Sequence, residues 1–252
     1  MNAAFTLDCK CALVTGSTRG ISRAIAEGLI EAGARVVISS ENAADTARVA
    51  AELQMPGLAC DVADNAALAC LVDFAHDELG GLDILVCNAG ITGKVGLLAS
   101  IDMDDYAHVM DVNLRSQVVL CNLALPRIAA RGGGAAILIS SLSGLRGNGK
   151  INAYALAKAA NAQLARNLAV EWGPQNLRVN AISPGFIATE LSAPLLADKA
   201  FMQRRMAMTP LRRPGRPEEV AGAAVFLASP AGAIINGHNL VVDGGTLISD
   251  DS

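Results

Sequence analysis

The sequence is poor in aromatic, charged and histidine side chains. Aromatic residues make up 3% of the 252 residues, charged residues make up 17%, and there are three histidines. With so few aromatics, we expect a core of Ala, Val, Leu and Ile, which suits helices layered closely on a sheet. The formal net charge is −4 and no basic stripe is present, so the electrostatic footprint of a nucleic-acid-binding protein is missing.

Membrane spans, leader peptides and metal-ligand clusters are also missing from the sequence pattern. No apolar run approaches the roughly 18 residues of a membrane span, and residues 1–10 lack the basic and apolar regions of a signal peptide. The six cysteines form no C-x-x-C pair and the histidines are scattered, so no metal site is predicted. We therefore expect a cytoplasmic protein without a membrane or nucleic-acid partner.

Short apolar runs alternate with longer helical patterns along almost the whole chain. This alternation predicts an α/β fold over residues 1–252, with about seven parallel strands in one sheet and helices on both faces. The predicted strands are 11–15, 35–40, 58–62, 83–90, 134–141, 177–185 and 239–245. The predicted helices are 23–34, 42–53, 64–79, 103–130, 152–172 and 217–228.

Residues 186–213 depart from the alternation, since they form a long segment without a strand pattern. Ligands of such sheets bind beyond the carboxyl ends of the strands. A long excursion after a strand is therefore a candidate substrate-covering lid.

A glycine-rich turn, TGSTRGIS, follows the first predicted strand at residues 15–22. Glycine lets a backbone approach a diphosphate closely, and the N-terminus of the next helix offers free N–H groups and the positive end of its dipole. Such turns also simply join strands to helices, but the position after the first strand favours phosphate binding.

Tyr154 and Lys158 lie four residues apart in the predicted helix 152–172, so they share one helix face. A free phenol has a pKa near 10, which is too high for efficient proton exchange at neutral pH. A neighbouring ammonium favours the tyrosinate, so we expect Lys158 to lower the pKa of Tyr154. Tyr154 is then a candidate general acid/base.

These landmarks together resemble the short-chain dehydrogenase/reductase family along nearly the whole chain. The glycine turn is similar to the T-G-x-x-x-G-x-G turn of the family, with Ser22 in place of the third glycine. Further similar segments follow in the family's order: CDV (60–62), CNAG (87–90), VNL (112–114), ISSLSG (139–144), SPGFIAT (183–189) and VDGG (242–245). Cys87 stands where the family has the first Asn of N-N-A-G, and Ser22 leaves tight cofactor binding in question.

The resemblance implies a Rossmann-type fold, a bound NAD(P) and hydride transfer between the nicotinamide and a secondary alcohol or ketone. It implies a catalytic set in which Ser141 holds the substrate oxygen, Lys158 also holds the nicotinamide ribose, and Asn113 kinks its helix and holds a water that relays protons. The cofactor residues that it implies are Gly16, Ser17, Thr18, Arg19, Gly20, Ile21, Ser40, Asp61, Val62, Asn88, Ala89, Gly90, Tyr154, Lys158, Pro184, Gly185, Ile187 and Thr189.

The choice between NADP(H) and NAD(H) depends on the end of the second strand. NAD-preferring members place an Asp there, whereas this chain has Ser39 and Ser40, followed by Glu41. Arg19 can reach a 2′-phosphate, and Ser40 can donate to the same group. The sequence favours NADP(H), with NAD(H) as the alternative because of Glu41.

Substrate identity is less constrained by the sequence. The wall formed by residues 142–152 is polar, and residues 186–213 resemble gluconate 5-dehydrogenase-like members, which favours a sugar acid or polyol. Two alternatives remain: a 3-oxoacyl-[acyl-carrier-protein] reductase, because residues 40–42 resemble that branch, and a non-catalytic NAD(P)-binding redox sensor. The helices 103–130 and 152–172 are apolar over more than one face, so we expect a homotetramer or a dimer.

Overall fold

Six parallel strands form a single sheet in the computed structural model, which describes residues 3–249. The sheet order is β2-β1-β3-β4-β5-β6. The strands are β1 (Cys11–Thr15), β2 (Arg35–Ser39), β3 (Ile84–Cys87), β4 (Gly134–Ile139), β5 (Leu177–Pro184) and β6 (Asn239–Val242). The order reverses at β1, so the crevice beyond the carboxyl ends of β1 and β3 is where an open parallel sheet binds ligands.

Helices cover both faces of the sheet, as the sequence predicts for an α/β fold. One face is packed by apolar residues of α3, α5 and α6, and the other by those of α1, α2 and α9. The helices are α1 (Gly20–Glu31), α2 (Ala43–Leu53), α3 (Asn65–Leu79), α4 (Met103–Met110), α5 (Ser116–Ala130), α6 (Asn152–Trp172), α7 (Ala193–Ala197), α8 (Lys199–Ala207) and α9 (Pro217–Ala228).

The predicted third strand, 58–62, is not a strand in the structure. Two backbone bonds follow the edge of β2, from the Leu58 N–H to the Ile38 oxygen and from the Cys60 N–H to the Ser40 oxygen. The pairing with β2 is otherwise an isolated bridge between Ile38 and Gly57, just before this segment. The Asp61 carboxylate then accepts from the Ala63 N–H at 2.9 Å and turns the chain towards α3. The described sheet therefore has six strands rather than about seven.

The predicted helix 103–130 is interrupted by a π turn. Residues Asp111–Arg115 form this turn between α4 and α5, and Asn113 lies at its centre. π turns of this kind occur frequently at functional sites, and this one lies next to the carboxyl end of β3 because Asn113 bonds to Ile91.

Residues 186–213 leave the sheet directly after β5 and contain α7 and α8 but no strand. Their base is fixed by two backbone bonds, from the Ala188 N–H to the Gly215 oxygen at 2.8 Å and from the Gly215 N–H to the Phe186 oxygen at 2.9 Å. Among residues 3–249, no helix combines the length and the apolar character needed to cross a membrane.

Candidate active site

The glycine-rich turn touches the turn that follows β3. Gly16 has a φ of +71° and Gly20 a φ of +58°, conformations that favour glycine. A Cβ on Gly16 would lie 3.1 Å from the Ala89 Cα. The Thr15 hydroxyl also accepts from the N–H groups of Asn88, at 3.2 Å, and Ala89, at 3.3 Å. Thr15 was absent from the predicted site, although its place before the first glycine could have identified it.

The N-terminus of α1 is open towards this turn. The residue before the helix, Arg19, has extended backbone and its side chain makes no capping hydrogen bond. The first-turn N–H groups and the positive end of the helix dipole therefore remain available to an anion. This arrangement and the close glycine backbone fit the diphosphate of a dinucleotide.

Ser22 does not obstruct this cradle. Its side chain is buried, with 2% of the residue exposed, and its hydroxyl donates to the oxygens of Gly16 and Arg19 inside the turn. The buried side chain therefore links the start and the end of the turn by hydrogen bonds.

The other predicted residues around the glycine turn lie in different environments. The Ser17 hydroxyl is used internally, since it donates to the Val14 oxygen at 2.8 Å and accepts from the Ser39 N–H at 2.9 Å. Ser40 bonds to Thr46 and to the Asn42 oxygen. Thr18 and Val62 are buried, Ile21 is half-buried, and Arg19 and Asp61 are exposed.

Asn113 holds the turn that follows β3. Its side chain is fully buried; Oδ1 accepts from the Ile91 N–H at 2.8 Å and Nδ2 donates to the Ile91 oxygen at 2.7 Å. A Cβ on the neighbouring Gly90 would lie 2.8 Å from Asn113 Oδ1. Both polar ends of the side chain are therefore engaged by the backbone beside the cleft.

Lys158 is held beneath the cleft. The residue is 3% exposed, and its Nζ donates to the Ile139 oxygen at 2.7 Å. The Ser140 hydroxyl donates to the Lys158 main-chain oxygen at 2.6 Å, so the helix start is tied to the end of β4. Burial lowers the pKa of Lys158 to about 8, and Cys87 opposes this effect.

Tyr154 and Lys158 are close, as the spacing predicts, but the expected effect on the phenol is wrong. Lys158 Nζ lies 5.5 Å from the centroid of the Tyr154 ring, against the ring face. Burial raises the pKa of Tyr154 above its ordinary value of 10.0, and a hydrogen bond with Ser141 lowers it in part. The structure therefore brings Ser141, Tyr154 and Lys158 together, with Ser141 as the group that favours the phenolate.

The remaining residues that the sequence predicts to bind the cofactor lie at and after the end of β5. Gly185 passes so close to Asp243 that a Cβ on it would lie 2.6 Å from the Asp243 Cβ. Pro184 and Ile187 are buried. Thr189 begins a short turn and lies 3.5 Å from the position of a Cβ on Gly20. This segment therefore meets the glycine turn at Gly20, whereas the Asn88–Gly90 turn meets it at Gly16.

No group of His, Cys, Asp and Glu in residues 3–249 is arranged to hold a metal ion. The six-stranded parallel sheet and its open glycine turn are those of a dinucleotide-binding protein.

Comparisons with known proteins define this class further. A family model described as enoyl-(acyl carrier protein) reductase matches residues 16–246. The chain is 38% identical over 244 residues to 7alpha-hydroxysteroid dehydrogenase of Escherichia coli (strain K12), with 95% of this chain and 94% of that protein covered.

Two solved structures with bound cofactors superpose closely. A 7α-hydroxysteroid dehydrogenase complexed with NADH and 7-oxo glycochenodeoxycholic acid has a TM-score of 0.91 at 37% identity, with 97% of each chain covered. A gluconate 5-dehydrogenase from Burkholderia cenocepacia J2315 in complex with NADP and tartrate has a TM-score of 0.93 at 35% identity, again with 97% of each chain covered.

The chain belongs to the short-chain dehydrogenase/reductase family. It is an NAD(P)-dependent oxidoreductase that acts on CH–OH groups and the corresponding ketones of small molecules. When bound, the nicotinamide supplies or accepts the hydride.

Proposed function

We propose that Tyr154 is the general acid/base of a secondary alcohol dehydrogenase whose cleft also contains Ser141, Lys158 and Asn113. The observation that carries this proposal is the grouping of Tyr154, Ser141 and Lys158 at the carboxyl end of β4, where Lys158 Nζ donates to the Ile139 oxygen. Tyr154 protonates the substrate oxygen during reduction and takes the proton back during oxidation. Ser141 holds that oxygen and Lys158 binds the nicotinamide ribose. Asn113 anchors the neighbouring turn and holds a water of a proton relay to Lys158.

Replacing Tyr154 with Phe tests the proposal, because it removes one hydroxyl and keeps the ring over Lys158. Loss of a positioned acid/base lowers turnover by about 100- to 10,000-fold, while cofactor affinity is expected to remain nearly unchanged. Tyr106, the other tyrosine of the sequence, provides the matched control as Tyr106→Phe. Turnover that survives in Tyr154→Phe would overturn the assignment.

NADP(H) is the proposed cofactor. Arg19 is exposed in the glycine turn, and its side chain makes no hydrogen bond or ion pair among residues 3–249, so its guanidinium is free to bind a 2′-phosphate. The remaining cofactor contacts are proposed for the residues predicted from the sequence. The lid role of residues 186–213 is supported by their exit from the carboxyl end of β5.

A sugar acid or polyol is the proposed substrate. The similar gluconate 5-dehydrogenase structure contains tartrate, and polar side chains of residues 142–152 follow Ser141 directly. A 3-oxoacyl-[acyl-carrier-protein] reductase is the second candidate, because the matching family model carries an acyl-carrier-protein description. A panel of sugar acids, polyols, ketones and acetoacetyl thioesters, each with both nicotinamides, separates the two candidates; no turnover with any substrate would favour the redox sensor.

We also propose that the protein forms a homotetramer or a dimer and that it is located in the cytoplasm. Val170 on α6 is 81% exposed and Leu156 is 49% exposed, which supports a subunit contact. The six cysteines are free thiols, and four of them are buried, which supports a reducing compartment.

A further inference from the structure

Two arginines near the cleft have no partner although they are half-buried. Among the Lys and Arg side chains of residues 3–249, Arg146 and Arg205 are the two that are not exposed and yet make no hydrogen bond or ion pair. The other unpartnered cations, Arg19, Lys150, Lys199 and Arg204, are exposed to solvent. Buried charges are normally paired, so these two partly buried guanidinium groups are candidates for binding an anion.

The Arg205 side chain packs against the Phe186 ring. Its Cζ lies 5.8 Å from the centroid of the Phe186 ring, and Phe201 packs edge-on against that ring at 5.4 Å. The Arg205 Nε is buried without an acceptor. Because Phe186 directly follows Gly185 at the end of β5, this contact places a helix of the lid segment, α8, over the carboxyl end of the sheet.

Arg146 comes from a different segment of the chain. It lies in the loop between Ser141, at the end of β4, and Tyr154 on α6. Burial of the Arg205 guanidinium lowers its pKa, and the positive charge of Arg146 lowers it further. The negative charge of Asp243 opposes both effects. The Asp243 carboxylate accepts from the N–H groups of Gly245, at 2.8 Å, and Leu247, at 2.6 Å, and it forms no ion pair with Arg205.

We propose that Arg205 and Arg146 bind the carboxylate of a hydroxy acid or oxo acid whose reacting carbon lies at Tyr154. This inference rests on the proposed function and assigns the substrate's acidic group to two residues. A guanidinium presents donors in a planar fork that matches a carboxylate. Binding of the anion also relieves the repulsion between the two cations, so an acidic substrate is favoured over a neutral polyol of the same shape.

The test measures binding by calorimetry with protein saturated in NADP⁺, so that Arg19 is covered and no turnover is needed. The probes are tartrate and threitol, which share a four-carbon diol core and differ in the carboxylates, together with inorganic phosphate. The variants are Arg205→Gln, Arg146→Gln and the control Arg204→Gln, which changes the exposed neighbour on the same helix. Arg205→Lys keeps the charge and removes the fork, and thermal melting verifies that each variant folds.

We expect the protein to bind tartrate much more tightly than threitol. Each of Arg205→Gln and Arg146→Gln should lower the affinity for tartrate by about 10- to 100-fold, which is the range for a lost hydrogen bond to a charged group. Arg205→Lys should lose part of the affinity for tartrate. Arg204→Gln should bind tartrate as the parent protein does, and the affinity for threitol should be the same in all variants. Equal binding of tartrate and threitol, tighter binding of phosphate than tartrate, or an equal loss in Arg204→Gln would overturn the inference. Failure of the proposed function would appear separately, as turnover that survives Tyr154→Phe or as no turnover with any substrate.

Discussion

The side-chain amide of Asn161 donates to the main-chain oxygen of Asn113 at 3.0 Å. This bond joins α6 to the π turn, and Asn161 lies three residues after Lys158 on the same helix. Asn161 is fully buried, and its Oδ1 has no partner among the described residues. Asn161 is not among the site residues predicted from the sequence, because an Asn among helical alanines gives no signal until its partner is known.

Replacing Asn161 with Leu should slow turnover more than it affects stability. The substitution releases the Asn113 oxygen and with it the turn beside the cleft, and small misplacements of a site lower turnover by up to about 100-fold. The unpartnered Oδ1 is removed at the same time, which offsets the lost bond. We expect kcat to fall about 10-fold with nearly unchanged cofactor affinity and Tm. Asn167→Leu, an exposed position of the same helix, is the control, and an unaltered kcat in Asn161→Leu would contradict the positioning role.

Ser22 should contribute to stability rather than weaken cofactor binding. Ser22→Ala removes the two hydrogen bonds to the Gly16 and Arg19 oxygens and should lower the free energy of unfolding by about 1 kcal/mol. Ser22→Gly adds the conformational cost of glycine in a helix, about another 1 kcal/mol. Thermal or chemical unfolding measures both, and cofactor titration serves as the second readout. Tighter cofactor binding by Ser22→Gly, the residue of the family pattern, would contradict this view.

Arg19→Ala should raise the KM for NADP⁺ about 10- to 100-fold, because the 2′-phosphate loses a charged hydrogen-bond donor. The KM for NAD⁺ should remain within about threefold, since NAD⁺ lacks this phosphate. Steady-state kinetics with both cofactors measures the two values. Glu41 is exposed and has no partner in residues 3–249, so Glu41→Gln should leave NAD⁺ use unchanged; a large loss of NAD⁺ affinity in that variant would show that Glu41 binds the ribose instead.

Local patterns predicted most of the fold and the grouping of the site. The alternation of strands and helices placed Gly16 after the first strand and Ser141 at the end of the predicted strand 134–141, and in the structure they follow β1 and β4. Such patterns succeed because buried parallel strands and amphipathic helices have distinct periodicities.

The errors concern features that depend on tertiary surroundings. Residues 58–62 have the composition of a strand, but Gly57 passes so close to α2 that a Cβ on it would lie 2.8 Å from the Ala50 Cβ, and the chain turns away at Asp61. The spacing of Tyr154 and Lys158 was read correctly, whereas the pKa of the phenol depends on burial, which spacing does not reveal. The sequence likewise does not reveal that Arg205 lacks an ion-pair partner, because its surroundings are set by the packing of α8 against Phe186.

Burial of Lys158 should produce a specific pH dependence of stability. The folded chain holds its proton up to a pKa of about 8, and the ordinary value is 10.5. Between these values the unfolded chain binds more protons, so the stability contribution of Lys158 rises with pH by at most about 1.4 kcal/mol per unit. Below pH 8 the penalty for burying the charge is complete and constant.

Lys158→Met removes that charge and should abolish turnover while raising stability at pH 7. The stability difference between Lys158→Met and the parent should shrink as pH rises from 8 to 10, whereas groups shared by both proteins cancel. Tm measured across this range provides the test. Lys150→Met, which replaces an exposed lysine without a partner, should give a difference that does not vary with pH. A constant difference for Lys158→Met would show that Lys158 titrates in the folded protein as it does in water.

Val170→Glu should break the proposed assembly into smaller species. Val170 is 81% exposed near the C-terminal end of α6, and a carboxylate there would have to be buried unpaired in an apolar contact, which costs several kcal/mol. Light scattering at micromolar concentration measures the mass of each species. Gln163→Glu places the same charge at an exposed polar position of α6 and should leave the mass unchanged. If the parent protein is already monomeric, the exposure of Val170 has another cause and the assembly proposal fails. If Val170→Glu keeps the mass of the parent protein, the subunit contact lies on a different face.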